Sequence, residues 1–167
     1  MDAGHRIRHA AEFYAHALAI ECEAVERYTE FAQRMTDQGN GEVAAIFARL
    51  AAFESEHVQD LQSCTGTMIL REIPPGTYAW VDTGAPETAA HEWLFRLMTP
   101  YDALLIALHC ERRAKAFFET VAATAVSPEV RLLAADMMSE EMAHVAWVEH
   151  ELAKSPKPLR PWNDAGA

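Results

Sequence analysis

The chain has 167 residues, 50% of them hydrophobic and 23% charged, which fits one soluble globular domain with a core of its own. Lys and Arg number 14 against 25 Asp and Glu, a formal net charge of −11. That balance excludes a basic nucleic-acid surface and disfavours docking on anionic membranes, so neither is expected as a partner. The three cysteines, Cys22, Cys64 and Cys110, are scattered and form no Cys-x-x-Cys, which removes four-cysteine metal sites and dithiol redox motifs. Such usage suits a reducing compartment. No apolar run approaches the ~20 residues of a membrane span. The first 19 residues are interrupted by His5, Arg6, Arg8, His9 and Glu12, unlike the apolar centre of a signal peptide. The expected location is the cytoplasm.

Residues 6–36 carry the helical period without Gly or Pro and predict one long amphipathic helix. Asp37-Gln38-Gly39-Asn40-Gly41 is a turn, and residues 42–64 predict a second helix. The texture then changes from Thr65 to Met98. This stretch holds Pro74-Pro75-Gly76, a short β-leaning segment over 77–81, Gly84, Pro86 and a short helix over about 87–97. It reads as a crossover rather than a tight hairpin. Thr99-Pro100-Tyr101-Asp102 places an N-cap, a Pro at the first helical position and an acid in the first turn, opening a third long helix that runs to about residue 125. Ser127-Pro128-Glu129 repeats that signal for a fourth helix reaching about residue 153. Pro156, Pro158 and Pro161 then exclude a fifth. The expected fold is all-α: a four-helix bundle over 1–153, with one long crossover (about 65–98) between the second and third helices, and a Pro-rich tail over 154–167.

On a helix the residues at ±3, ±4 and ±7 share a face. By that count Glu21 sits among Tyr14, Ala17, Leu18, Ala24, Val25 and Tyr28, all apolar. Glu54 has Phe47, Leu50, Ala51, Val58, Leu61 and one His, His57. Glu111 has Leu104, Ala107, Leu108, Ala114 and Phe118, with Lys115 as the sixth. Glu141 has Ala134, Met137, Met138, Val145, Val148 and His144. Its neighbour Glu140 has four apolar neighbours. Each long helix thus carries a Glu in the middle of its apolar stripe. An isolated ionised carboxylate in a core costs several kcal/mol, and four would repel one another. Either they are protonated at raised pKa or cations neutralise them. His57 and His144 lie three residues after Glu54 and Glu141, so each pair shares a face and can chelate one ion.

A lone Glu-x-x-His is weak evidence, since roughly one match is expected by chance. Placement adds the weight, because both matches fall mid-stripe on the second and fourth helices. The spacing from Glu21 to Glu54 is 33 residues and from Glu111 to Glu141 it is 30. Tyr28 and Phe118 each follow the lone Glu by seven. The chain therefore repeats Glu…Glu-x-x-His twice, the ligand pattern of dinuclear carboxylate bundles. The candidate metal-binding residues are Glu21, Glu54, His57, Glu111, Glu141 and His144. Carboxylate and imidazole donors suit iron or manganese and also accept zinc. Tyr28 is a candidate catalytic residue, a donor or radical source beside the site, against the plainer reading of a packed core aromatic.

Glu21–Tyr28, Ile46-Phe47-Ala48 with Glu54–His57, Glu111–Phe118 and Glu140–His144 together resemble the rubrerythrin branch of the ferritin-like di-iron carboxylate superfamily, over roughly residues 10–153. The resemblance implies a ferritin-like bundle holding two iron ions, with Glu54 and Glu141 bridging them. Glu21 with His57 would complete one ion and Glu111 with His144 the other. It also implies a homodimer. Two departures stand out. Three scattered cysteines cannot build the rubredoxin domain of rubrerythrins proper. The extra carboxylate one turn after the third-helix Glu is here Ala114 or Lys115.

The implied function is a non-haem di-iron or di-manganese oxidoreductase that reduces peroxide or O2 with electrons from an external donor. A ferroxidase or iron-storage protein of ferritin or bacterioferritin type is the alternative. A metal-free interaction module with protonated core acids is the third reading.

Overall fold

The computed structural model describes residues 7–74, 77 and 97–159. Among these, four long helices follow in the expected order: α1 (Ala10–Asp37), α2 (Gly41–Thr65), α3 (Pro100–Thr124) and α4 (Pro128–Lys154). The β-leaning segment over 77–81 and the short helix over 87–97 lie outside the described residues, Thr77 and Leu97 apart. So does the chain beyond residue 159. No helix among the described residues is long and apolar enough to cross a membrane.

Helix α1 begins four residues later than the period predicts. His9 provides no side-chain cap. Glu12 instead reaches back to accept the Arg8 backbone N–H at 3.0 Å, which ties the chain before the N-cap to the first turn. The α1–α2 turn depends on Gly39, whose φ of +75° lies in the left-handed region. Asn40 caps α2 by accepting the Val43 N–H at 3.4 Å, and its side-chain amide donates to the Met98 carbonyl at 2.8 Å. That second bond brings the start of α2 beside the approach to α3. Because the starts of α2 and α3 thus lie side by side, the two helices run parallel.

The sequence signals at 99–102 become a full capping box. Thr99 Oγ1 accepts the Asp102 N–H at 3.3 Å, while Asp102 accepts the Thr99 N–H at 3.0 Å. Ser127 accepts the Val130 N–H at 3.4 Å at the head of α4. Thr99→Ala is expected to cost about 1 kcal/mol of stability, read as a lower urea midpoint at unchanged slope.

Packing is densest within the α1–α2 and α3–α4 pairs and thinner between them. The apolar interior is in two layers. One holds Tyr28, Phe31, Met35, Phe47, Leu50 and Leu104; the other holds Phe13, Ile20, Leu61, Phe118, Val130 and Met137. Glu21, Glu54, Glu111 and Glu141 lie between these layers in the chain, and all are 2% exposed or less. The layers exclude water from the carboxylates and fix the four helices around them.

Candidate metal centre

One side chain from each helix, plus two imidazoles, converge mid-bundle. Glu21 comes from α1, Glu54 and His57 from α2, Glu111 from α3, and Glu141 and His144 from α4. Their donor atoms fall into three overlapping groups able to hold a metal ion: Glu21, Glu54, His57 and Glu141; Glu54, His57 and His144; and Glu111, Glu141 and His144. Within each group one donor per residue lies within 4.8 Å of all the others. The structure thus brings together all six residues singled out by spacing.

Glu54 spans the cluster. Its Oε2 lies 3.5 Å from His57 Nδ1 and its Oε1 lies 3.3 Å from His144 Nδ1. His57 Nδ1 is also 3.4 Å from Glu21 Oε2, and His144 Nδ1 is 3.2 Å from Glu111 Oε2. Each imidazole therefore faces one terminal carboxylate and one oxygen of Glu54. The two rings stack at 4.7 Å between centroids and 7° between planes. Glu141 appears in the groups of both terminal carboxylates, so it too is shared between the two halves of the cluster.

Several of these buried atoms have no hydrogen-bond partner: Glu21 Oε1, Glu54 Oε1, His57 Nδ1 and both oxygens of Glu141. Nearly all buried polar groups in folded proteins are paired, so five orphans in one cluster need a reason. Cations supply it. Oxygen and imidazole donors in this number suit two divalent ions of the iron or manganese type, and the four carboxylates balance their charge.

The electrostatics of the protein alone show the same strain. Burial pushes the carboxyls of Glu21 and Glu141 well above the ordinary range, and the neighbouring carboxylates push them further. Glu111 is raised by burial too, with His144 pulling against it. Glu54 differs: burial works to raise it, but the facing imidazoles of His144 and His57 outweigh burial and hold it low. Burial would lower both imidazoles, yet the facing carboxylates win. His57 is raised, and His144 is raised to about 10. The cluster retains protons that metal ions would displace.

Tyr28 is 1% exposed, and its hydroxyl donates to Glu111 Oε1 at 2.6 Å. Burial and the Glu111 charge keep the phenol protonated. A cleft of about 420 Å³, its open mouth included, reaches the cluster from the α1–α3 side past Glu23, Ala24, Arg27 and Ala114. Both imidazoles lie away from it, so a small molecule entering there meets the carboxylate face.

Sequence reasoning left three groups out. Glu140, 47% exposed, faces His57 Nε2 at 3.5 Å, whereas Glu141 is 1% exposed. A carboxylate behind an imidazole orients the ring, so Glu140 supports the site from outside. Phe53 stacks on His144 at 5.2 Å, and Trp147 meets Phe53 edge-on at 5.3 Å. Cys110 lines the cleft beside Tyr28. For Glu140 the four apolar neighbours were a signal; for Phe53, Trp147 and Cys110 helical spacing carried none beyond burial.

A family model described as Rubrerythrin matches residues 12–152. No curated protein matches the chain. Among solved structures, it is similar to an uncharacterized conserved protein from Magnetospirillum magnetotacticum MS-1, whose crystal structure is at 2.00 Å resolution. The two are 34% identical, with 91% of this chain and 99% of that one covered and a TM-score of 0.75.

Proposed function

The chain belongs to the rubrerythrin family, and from that premise we propose that it is a di-iron carboxylate oxidoreductase that reduces O2 or peroxide with electrons from an external donor. The observation that carries the reading is Glu54, whose two oxygens each face a different imidazole at 3.3 and 3.5 Å. That is the placement a carboxylate needs to bridge two ions.

Glu21 with His57 would hold one ion and Glu111 with His144 the other, with Glu54 and Glu141 shared. When bound, the metal pair supplies two-electron redox chemistry with little change in buried charge, because an oxygen bridge can balance its oxidation. The protein's own part is to position and to exclude. The two apolar layers keep bulk water out. The stacked imidazoles and the Glu140 carboxylate fix the ring nitrogens. The cleft between α1 and α3 admits a molecule as small as O2 or peroxide to the open face. Tyr28 holds its proton on a line to Glu111.

Anaerobic reconstitution with Fe(II) is expected to load about two iron ions per chain, with near-ultraviolet absorption developing on oxidation. Peroxide or O2 consumption with a generic reductant then tests the activity. A wild-type protein that holds no iron would overturn the metal reading. A loaded protein that consumes neither oxidant would overturn the enzymatic one.

A further inference from the structure

The two Glu…Glu-x-x-His repeats supply matching ligands, but the residues around those ligands do not match. Tyr28 follows Glu21 by seven, and Phe118 holds the equivalent place after Glu111. Tyr28 reaches across the bundle, where its hydroxyl donates to Glu111 Oε1 at 2.6 Å. Phe118 has no hydroxyl to return to Glu21, and it packs on Phe13 at 6.1 Å between ring centroids. Glu111 thus enters the cluster with one oxygen engaged, while Glu21 Oε1 is buried without a hydrogen-bond partner. A second difference lies one residue before each Glu-x-x-His. Glu140 precedes Glu141, and Phe53 precedes Glu54. Each meets the imidazole of the other repeat. Glu140 faces His57 Nε2 at 3.5 Å, whereas Phe53 lays its ring on His144 at 5.2 Å and 24° between planes. One imidazole has a carboxylate behind it, and the other has a hydrocarbon beside it.

We propose that the two ion positions are unequal: Glu21 with His57 holds a divalent transition-metal ion about tenfold or more tightly than Glu111 with His144. This rests on the di-iron reading. Two effects act in the same direction. An imidazole that binds an ion through Nδ1 carries its proton on Nε2, and His57 Nε2 faces Glu140. A carboxylate placed there fixes the tautomer and makes the ring a stronger donor. Phe53 steadies the His144 ring but accepts no hydrogen bond. The Tyr28 hydroxyl draws charge from Glu111 and occupies one of its oxygens, whereas Glu21 can offer both. Glu54 and Glu141 are shared, so they favour neither position. Glu140 is half exposed, which places its effect at the lower end of the ~10–100-fold range for such outer partners. The ion beside His57 is then the resident one, and the ion beside Tyr28 exchanges more readily.

Two cations held side by side repel, so loading would be stepwise even at equal positions. The test therefore reads which imidazole is filled. The full chain, metal-free and isotope-labelled at the histidine nitrogens, receives one equivalent of Zn(II), and nuclear magnetic resonance follows Nδ1 of each ring. Ligated His57 is expected to exceed ligated His144 by about tenfold or more. Glu140→Gln keeps the size and removes the charge, and Tyr28→Phe frees Glu111 Oε1. Each is expected to lower that ratio by about threefold or more, from opposite sides. Glu140→Gln loosens the tighter ion, and Tyr28→Phe tightens the looser one, as chelator competition reads. A merely structural loss would tighten neither. Equal filling of the two rings, His144 filled first, or a ratio unchanged in either variant overturns the proposal. Failure of the di-iron reading is seen separately, as fewer than two metal ions per chain at saturation with Zn(II) or Fe(II).

Discussion

Glu141→Leu is expected to make the metal-free protein more stable and to abolish tight metal binding. Both oxygens of Glu141 are buried without a hydrogen-bond partner, and the residue is 1% exposed. A buried, unsatisfied polar group costs about 1–3 kcal/mol, so an apolar side chain of similar size recovers roughly that much near neutral pH. The same change removes a carboxylate placed between both terminal groups. Losing an outer partner of a metal ligand already costs about 10–100-fold in affinity, and losing a shared ligand is expected to cost more. Urea unfolding with chelator reads the first effect, and metal content after dialysis reads the second. Glu54→Leu provides the contrast. Glu54 is held ionised by His57 and His144, so its removal takes from both imidazoles the carboxylate that they share. Breaking such a buried pair costs about 3–5 kcal/mol. Two glutamates in one cluster thus have opposite effects on the metal-free fold. Equal effects of the two substitutions would contradict the assigned geometry.

The pH dependence of stability is expected to run in opposite directions with and without metal. Glu21, Glu111 and Glu141 have raised carboxyl pKa values in the folded chain. Each contributes stability that is full below its ordinary pKa of 4.5 and is lost as pH rises through the folded value. The imidazoles act with the same sign: His57 is raised, and His144, raised to about 10, loses its contribution between its ordinary 6.5 and that value. Glu54 has the opposite sign. Its pKa is depressed, so its contribution is present above 4.5 and lost only as pH falls below it. The metal-free protein should therefore lose stability from about pH 5 to about pH 9, at ~1.4 kcal/mol per pH unit for each extra proton the folded state holds. Metal ions take deprotonated ligands, so their affinity grows over that range. Free metal at about a thousandfold above Kd adds ~4 kcal/mol. Calorimetry with chelator and with metal should show two melting curves that diverge as pH rises. Parallel curves would mean that these side chains do not bind the metal.

The bundle and the identity of its buried acids were legible because helix geometry links spacing to burial. Glu21 was recognisable from six apolar neighbours, and it is 1% exposed. The caps at Thr99 and Ser127 were legible because N-cap chemistry is local. Contacts between helices were another matter. The Tyr28 hydroxyl meets a carboxylate 83 residues away, and spacing along one helix does not set how two helices rotate against each other. Glu140 and Glu141 are adjacent and both bear on the apolar stripe; only the way α4 is turned toward the His57 ring decides that one enters the cluster and the other stands behind His57. The start of α1 lies later than the period predicts because the period runs on through residues 7–9, which stand outside the first helical turn. The cleft was not legible at all, since it is a gap between α1 and α3 and no residue pattern encodes a gap.

The division of the cluster between the two helix pairs bears on symmetry. One pair brings Glu21, Glu54 and His57, and the other brings Glu111, Glu141 and His144. The shared carboxylates Glu54 and Glu141 reach from one pair to the other. A hairpin of α1 and α2 therefore carries half of the donor set in complete form, and a two-fold axis between two such hairpins would generate the remainder. The donor set is in this sense two half-sites, one from each hairpin, joined in a single chain.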